Sequence, residues 1–256
     1  ASDSEAGDWF GFSVDIEDDV IVVGAMFKNN GYTKNGKAYV FEKPASGWED
    51  MTETCSLSGS SCYNYAYYGR AVGISDDCII VSALGAEKVF LFEKPGEVWT
   101  EVSESAILTD ANNDTYHGFG CDAGIDGNTV VVGNYRKDDE AGKLYVFEKP
   151  LSGWATMNET AVLSASDPNE NDELGLSVSI SGNCIVAGAR YNGTVYSDEG
   201  AAYVFEKPGS VWVSMTETAK LTASNPSSIS YFGDVVDING DLILVGGINS
   251  NGCMGG

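Results

Sequence analysis

Five short segments of the chain alternate apolar and polar residues, and each begins with a large apolar residue followed by glycine. In the first segment Val14 and Ile16 alternate with polar neighbours, which predicts a strand with one buried face. The next two residues, Asp18-Asp19, are of a type that tolerates the positive φ of a tight hairpin. The run from Val20 to Val23 hardly alternates, which predicts a second strand buried on both faces.

A third strand ends in the tetrapeptide Phe-Glu-Lys-Pro, which occurs at 41–44, 92–95, 147–150 and 205–208. Proline ends this strand because it has no N–H for the ladder. Four residues after each proline comes a tryptophan, and a fourth strand is expected to carry it and to end near Leu57, Leu108, Leu163 or Leu221. Similar segments at a fixed period indicate stacked supersecondary units. The tryptophans are Trp48, Trp99, Trp154 and Trp212.

Repeated four-stranded antiparallel sheets predict an all-β fold, namely a β-propeller with one sheet per blade. Strands one and two occur five times and strands three and four occur four times, which gives about 4.5 repeats. We expect a segment of a longer array, forming a single domain over 1–256. The expected repeats are residues 1–60, 61–110, 111–166, 167–224 and a partial repeat at 225–256.

The paired motifs in these repeats resemble the FG-GAP repeat family, which forms the propeller of integrin alpha subunits. The resemblance covers the whole chain and implies adhesion to protein or glycan ligands outside the cell. Integrin-type repeats often carry a calcium cage between strands one and two, but here that link is a two-residue turn, so this site is not expected. The motifs are Phe10-Gly11 with Gly24-Ala25, Phe119-Gly120 with Gly133-Asn134, Leu174-Gly175 with Gly188-Ala189, and Phe232-Gly233 with Gly246-Gly247.

The formal net charge of −24 argues against nucleic acid and anionic membranes as partners, because both require basic patches. No apolar run is long enough to suggest membrane insertion in this segment. With strands of alternating direction, the loops after strand two and after strand four share one rim. Acidic residues are concentrated in these loops, which predicts an acidic face.

Two loops on this rim place oxygen-bearing side chains at alternate positions, a pattern that calcium accepts. Neither loop has the glycine and closing glutamate of an EF-hand. Two interpretations therefore stay open: solvated acidic loops, or sites for calcium as the one expected cofactor. The candidate ligands are Asp110, Asn112 and Asp114 in one loop and Asp167, Asn169, Asn171 and Glu173 in the other.

Three N-glycosylation sequons, at Asn113, Asn158 and Asn192, favour a secreted or cell-surface protein. Cys55 and Cys62 fall in one loop and form the best candidate for a disulfide bond. Cys78 and Cys184 lie two repeats apart, so buried thiols are expected there. The partners of Cys121 and Cys253 stay open.

The regularly spaced tryptophans are expected in the core, although a platform for sugar stacking is the alternative. Trp9 lies outside this series beside a rim loop, and we expect it to be exposed. Tyr63 and Tyr65 belong to an irregular tyrosine-rich stretch. These three residues form the predicted ligand face.

Neither a nucleophile elbow, a zinc motif nor a phosphate loop occurs in the sequence, and His117 is the only histidine. We therefore expect a non-catalytic extracellular adhesion propeller that contacts protein or glycan partners through its acidic loops. The alternative is a structural subunit that assembles with itself into a filament or cell-surface layer. A third interpretation is a non-catalytic domain of a larger hydrolase.

Overall fold

The computed structural model describes residues 1–112, 118–193, 198–225 and 229–248. The chain divides into two compact units, the first with residues 1–127 and 149–158 and the second with 128–148 and 159–256. Nearly all regular structure is β-strand, in antiparallel sheets of the size of propeller blades. The predicted fold class is therefore confirmed, whereas the predicted repeat boundaries stay a prediction.

Twenty strands, a 3₁₀ turn at Leu84–Ala86 and a short helical turn, α1 (Lys137–Glu140), make up the regular structure of the described residues. In chain order the strands are β1 (Phe10–Glu17), β2 (Val20–Ala25), β3 (Lys37–Glu42), β4 (Cys55–Leu57), β5 (Tyr68–Ser75), β6 (Cys78–Ala83), β7 (Lys88–Glu93), β8 (Ala106–Thr109), β9 (Phe119–Asp126), β10 (Thr129–Asn134), β11 (Lys143–Glu148), β12 (Met157–Asn158), β13 (Ala161–Ser164), β14 (Val178–Ser181), β15 (Cys184–Ala189), β16 (Ala201–Glu206), β17 (Met215–Thr216), β18 (Ala219–Leu221), β19 (Val235–Asn239) and β20 (Leu242–Gly246).

The four strands of a repeat neighbour one another in chain order, as the sequence predicts. In the first unit the sheets β1-β2-β3-β4 and β5-β6-β7-β8 follow this order, and β9 belongs to the same unit. In the second unit β14-β15-β16-β18 repeats it, and β10, β11 and β13 are consecutive in another sheet. Strands β19 and β20 pair as a hairpin.

The prediction that the fourth strand carries the tryptophan is wrong, because each tryptophan lies outside the strands and the fourth strand begins later. Two sheets also gain an outer strand that the sequence did not predict. Strand β12 pairs in parallel with β8, and β17 pairs in parallel with β13. Each added strand is the segment that follows the repeat's tryptophan, and it lies on the sheet of the preceding repeat. Consecutive repeats are therefore joined by backbone hydrogen bonds at their outer edges as well as by side-chain packing.

The paired glycines of the repeat motif lie where two consecutive repeats touch. A Cβ on Gly24 would lie 2.2 Å from the carbonyl oxygen of Gly69, and one on Gly188 would lie 1.8 Å from that of Gly233. Neither separation is sterically allowed. Gly69 and Gly233 also have φ of 85° and 93°, a region that glycine enters without strain. The motif is thus required by the close approach of neighbouring backbones.

Apolar cores form between consecutive repeats. In the first unit Val22 and Val40, on the second and third strands of one repeat, pack with Val72 and Ile74 on the first strand of the next. Equivalent clusters occur twice in the second unit. In the first repeat, which no described strand precedes, Val14 is 63% exposed because nothing covers that side of β1.

The repeated glutamate and lysine of the tetrapeptide form hydrogen bonds and ion pairs across the same boundary between repeats. Glu42 accepts a hydrogen bond from the backbone N–H of Trp99 at 3.0 Å and pairs with Lys94 at 3.0 Å. Glu148 contacts Trp212 and Lys207 in the same way, at 2.9 Å and 2.6 Å. The glutamate of one tetrapeptide therefore contacts the following repeat, and its lysine contacts the preceding repeat, which explains why both residues recur.

The prediction that the four tryptophans are core residues is confirmed for three of them and wrong for the first. Trp99, Trp154 and Trp212 are buried, whereas Trp48 is 45% exposed. The tryptophan packs against the preceding repeat, and the first repeat has no described neighbour on that side. Burial of this position thus depends on a second repeat.

Candidate functional site

The loops predicted to share one rim do lie together within each unit. The connection between strands two and three of one repeat accepts backbone hydrogen bonds from the segment leading into the next repeat. Acidic and aromatic residues from two repeats are thereby brought side by side. These bonds run from Tyr65 to Thr33, Tyr67 to Lys34, Asn171 to Asp139, Glu173 to Glu140 and Tyr231 to Asp198.

The segment before β1 is held by two carboxylates that have different partners. Asp3 accepts a hydrogen bond from the Tyr39 hydroxyl at 2.7 Å and pairs with Lys37 at 3.0 Å. Asp8 is buried and pairs with the buried ammonium group of Lys28 at 3.1 Å. The same ammonium group donates to the carbonyl oxygen of Asp3. Burial alone would lower the pKa of Lys28, but the carboxylates of Asp8, Asp3 and Glu5 together outweigh burial and raise it.

The segment before β14 repeats the first of these two arrangements. The Tyr203 hydroxyl donates to Asp167 at 2.9 Å, and Lys220 donates to the other carboxylate oxygen at 2.7 Å. Burial would raise the pKa of Asp167, but the hydrogen bonds from Lys220 and Tyr203 outweigh it, so the pKa is lowered. Asp167 is therefore engaged as a structural anion in the fold.

In the second arrangement Asp8 and Asp172 each accept from the backbone N–H three residues earlier, but the side-chain amide of Asn192 replaces the ammonium group of Lys28. One carboxylate oxygen of Asp172 accepts from the backbone N–H of Asn169 and from the side-chain amide of Asn192, both at 2.9 Å. Asn192 occupies the position of Lys28, since each lies three residues after the alanine that ends strand two. Nearby, Glu173 pairs with Arg190 at 2.8 Å. Burial raises the pKa of Glu173, although Arg190 opposes the shift.

The predicted calcium ligands are not brought into one coordination shell in the described residues. In the loop from 167 to 173, the side chains of Asp167, Asn169 and Glu173 contact different partners, and Asn171 has a φ of 69°. In the other loop Asp110 is buried and accepts from the backbone N–H of Asn112, while Asp114 lies outside the described residues. Within the described ranges no group of three or more His, Cys, Asp or Glu side chains is placed to hold a metal ion. Calcium binding stays a prediction.

The three predicted glycosylation sites lie in different environments. Asn158 is exposed and its amide oxygen accepts from the Thr109 hydroxyl, so its environment leaves room for a sugar. Asn192 is 1% exposed, and its amide nitrogen, to which a glycan would be attached, donates to Asp172. The folded chain therefore has no room for a glycan on Asn192. Asn113 lies outside the described residues.

The predicted disulfide bond between Cys55 and Cys62 is not formed in the structure. Both residues are buried free thiols. Burial raises the pKa of Cys55 to about 11 and that of Cys62 to about 12. Since the thiolate is the reactive form in disulfide chemistry, both groups are inert at neutral pH. Cys78 is a buried free thiol as predicted, and Cys184 is a half-buried one.

The predicted ligand face is exposed in the structure. Trp9 is 53% exposed, and Tyr63 and Tyr65 are exposed as well. Trp9 packs against Phe27 with ring centroids 4.4 Å apart, whereas Tyr63 packs edge-on against Tyr32 at 5.5 Å. The structure thus divides the face into two aromatic groups, one around Trp9 and one around Tyr63.

Sequence reasoning missed the cations that neutralise the acidic rim. Lys28 and Arg190 both follow strand two of their repeats by a few residues, and they contact Asp8 and Glu173 respectively. Alignment of the repeats shows a lysine at the position of Lys28 again in the third repeat, Lys137, which is also buried. A cation at a fixed place in an acidic loop region was the signal that would have revealed this role.

Comparison with protein families matches the FG-GAP repeat model at residues 1–41, 102–147, 157–205 and 215–255. The chain belongs to the FG-GAP repeat family. Its domain is thus of the integrin-like β-propeller type, and FG-GAP repeats are typical of extracellular or surface proteins. No curated protein matches the sequence. Among the described residues of this FG-GAP chain, no helix has the length and hydrophobicity that a membrane crossing requires.

Proposed function

We propose that this chain is a non-catalytic extracellular adhesion module that contacts protein or glycan partners through its acidic loop face. The observation that supports it is the meeting of acidic and aromatic loop residues from consecutive repeats, as where Glu173 contacts Glu140 and Tyr231 contacts Asp198. A rigid sheet scaffold that presents irregular loops is the usual arrangement of a binding surface. The large negative charge suits partners that are neutral or basic.

Beads coated with the full chain test this proposal directly. We expect them to attach to surfaces that carry basic extracellular-matrix proteins, and to attach less as salt screens the acidic face. Attachment to neutral polysaccharides should not depend on salt. Beads coated with the chain after heat denaturation are the control. Equal attachment of native and denatured beads, or none at all, would contradict the proposal.

Calcium binding, which is one part of this proposal, is tested by a separate measurement of thermal stability. A ligand that binds only the folded state stabilises it, by about 2.7 kcal/mol at 100 times its dissociation constant. We therefore expect millimolar calcium to raise the thermal unfolding temperature and an equal concentration of magnesium to raise it less. If the two salts act identically, calcium is removed from the proposal and adhesion itself is unaffected.

A further inference from the structure

Five aromatic rings form a continuous row within the first unit. The ring of Trp9 stacks on Phe12 with centroids 5.7 Å apart and lies 4.4 Å from Phe27. Phe27 then contacts Tyr67 at 5.6 Å, and Tyr67 contacts Tyr65 at 6.3 Å. The row therefore joins two members of the predicted ligand face, Trp9 and Tyr65, through Tyr67 of the tyrosine-rich stretch and through Phe27, which the sequence did not single out.

Three residues of this row have a backbone conformation that disfavours large side chains. The φ angles are 56° for Trp9, 60° for Tyr65 and 53° for Tyr67. Bulky residues are rare in this left-handed region, where glycine has no steric penalty. Equivalent loop positions in later repeats, among them Asn171 and Glu173, also have positive φ, so this conformation belongs to the repeat fold. The rings are what the first unit adds to this shared backbone geometry.

A cavity of about 500 Å³ lies beside the row and combines ring surfaces with polar groups. Trp9 and Phe27 supply the rings, and Glu5, Asn29 and Lys34 are among the polar residues that line it. Small-ligand sites usually span about 300 to 1,000 Å³ and combine apolar walls with a few orienting polar groups. The cavity has the size and the composition of such a site.

Cations of the chain already contact two of the rings. The ammonium group of Lys34 lies 4.6 Å from the centroid of Phe27, and the guanidinium of Arg70 lies 4.9 Å from that of Phe12. Trp9, which is half exposed, offers the largest ring surface beside the cavity. A ligand that stacks in this row would therefore stack on the indole ring.

We propose that the row binds a neutral carbohydrate chain, with one pyranose ring stacked on Trp9. A pyranose has an apolar C–H face and a rim of hydroxyl groups, so it requires an aromatic surface bordered by hydrogen-bonding groups. Glu5 and Asn29 line the same cavity as the indole and supply polar groups beside it. The net charge of −24 disfavours anionic polysaccharides. This inference rests on the proposed adhesion function and specifies its partner as a glycan.

Isothermal titration of the full chain with two neutral probes, cellohexaose and mannohexaose, tests the site. We expect at least one of them to bind, and Trp9→Gly to weaken binding at least about tenfold, as loss of a central aromatic contact does. Glycine suits the φ of 56° at this position, so the variant is expected to fold. Trp9→Phe, which keeps a ring, should retain part of the affinity.

Trp48→Ala is the matched control, because Trp48 is similarly exposed in the same unit but lies outside the row. It should bind within about twofold of the original chain. Equal binding by the Trp9→Gly variant, or tighter binding of polygalacturonate than of the neutral probes, would overturn the site. If neither neutral probe binds while coated beads still attach to protein surfaces, the glycan inference fails and the adhesion proposal stands. Failure of both assays removes both.

Discussion

The segments that lead into the first and the fourth repeat share a layout but neutralise their buried acid differently. Asp3 and Asp167 each accept from a tyrosine hydroxyl and a lysine, so this part is the same in both. Asp8 and Asp172 also share a backbone N–H donor, but Asp8 pairs with the ammonium group of Lys28, whereas Asp172 accepts from the side-chain amide of Asn192. The charged ammonium group of the first repeat is thus replaced by a neutral side-chain amide in the fourth repeat.

The difference shows that the acidic rim is an internally compensated structure as well as a charged surface. A buried carboxylate requires either an opposite charge or several hydrogen bonds, because burial without them is costly. Asp8 has the first solution and Asp172 has the second. The loop predicted to hold calcium in the fourth repeat therefore has its buried carboxylate, Asp172, satisfied by Asn169 and Asn192.

Lys28→Met should produce the largest effect, because it leaves the Asp8 carboxylate buried without its cation. Removing one partner of a buried ion pair typically costs about 3 to 5 kcal/mol of unfolding free energy. Lys28→Asn, which copies the fourth repeat, should cost less. Urea denaturation measures both variants. Lys43→Met is the control, since Lys43 pairs with Asp19 at a more exposed site and should change stability by less than about 1 kcal/mol. Equal costs for the three variants would contradict the distinction.

Asn192→Ala should have the next largest effect, a loss of about 2 kcal/mol of unfolding free energy, because it removes a buried hydrogen-bond donor to Asp172. Asn158→Ala is the comparison, since Asn158 is exposed and a surface change should cost less than about 0.5 kcal/mol. The native protein's intact mass and peptide map provide a second check. A glycan found on Asn192 would show that this amide does not contact Asp172 in the native state.

Tyr39→Phe and Tyr203→Phe should have the smallest effects, about 1 kcal/mol each at neutral pH, because each removes one hydroxyl from a partly exposed aspartate. Burial would raise the pKa of Asp3 and Asp167, but their hydrogen bonds lower it below the ordinary value of 3.8. The stabilisation is therefore present above pH 4 and is lost as pH falls through the lowered pKa of the folded state. Chemical denaturation between pH 7 and pH 2 should show each variant converging with the original chain in acid. A constant gap would indicate that the tyrosines act through packing alone.

The second repeat naturally has phenylalanine in place of this tyrosine, so it serves as a reference for the two Tyr→Phe variants. Phe90 stands where Tyr39 and Tyr203 stand, and Ser61 stands where Asp3 and Asp167 stand. Lys88 donates to the Ser61 hydroxyl at 2.9 Å, so the lysine contact survives without the carboxylate. The acid and the phenol are therefore absent together in the second repeat, whereas the third repeat keeps Tyr145 with Asn112 at the position of the acid.

The repeats themselves determined most of what the sequence predicted correctly. Strand alternation, the glycine and aspartate turns and the period identified the four-stranded antiparallel sheets, because these features depend on local backbone preferences. The turn residues Asp18, Asp76 and Gly127 indeed have φ of 51°, 54° and 53°. Exposure of Trp9 was also predicted correctly, since its place outside the repeated series was visible in the sequence.

Only the tertiary structure decided which residues from different parts of a repeat, or from consecutive repeats, contact one another. Whether Trp48 is buried like Trp99 depends on a neighbouring sheet, and the role of Lys28 depends on a carboxylate that the fold brings to it. The sequence by itself determined the strands, the turns and the acidic loops, because short-range sterics and hydrophobic periodicity act along the chain. The partners of each charge and each ring were set by packing between segments, because electrostatic pairing and burial depend on distances in space.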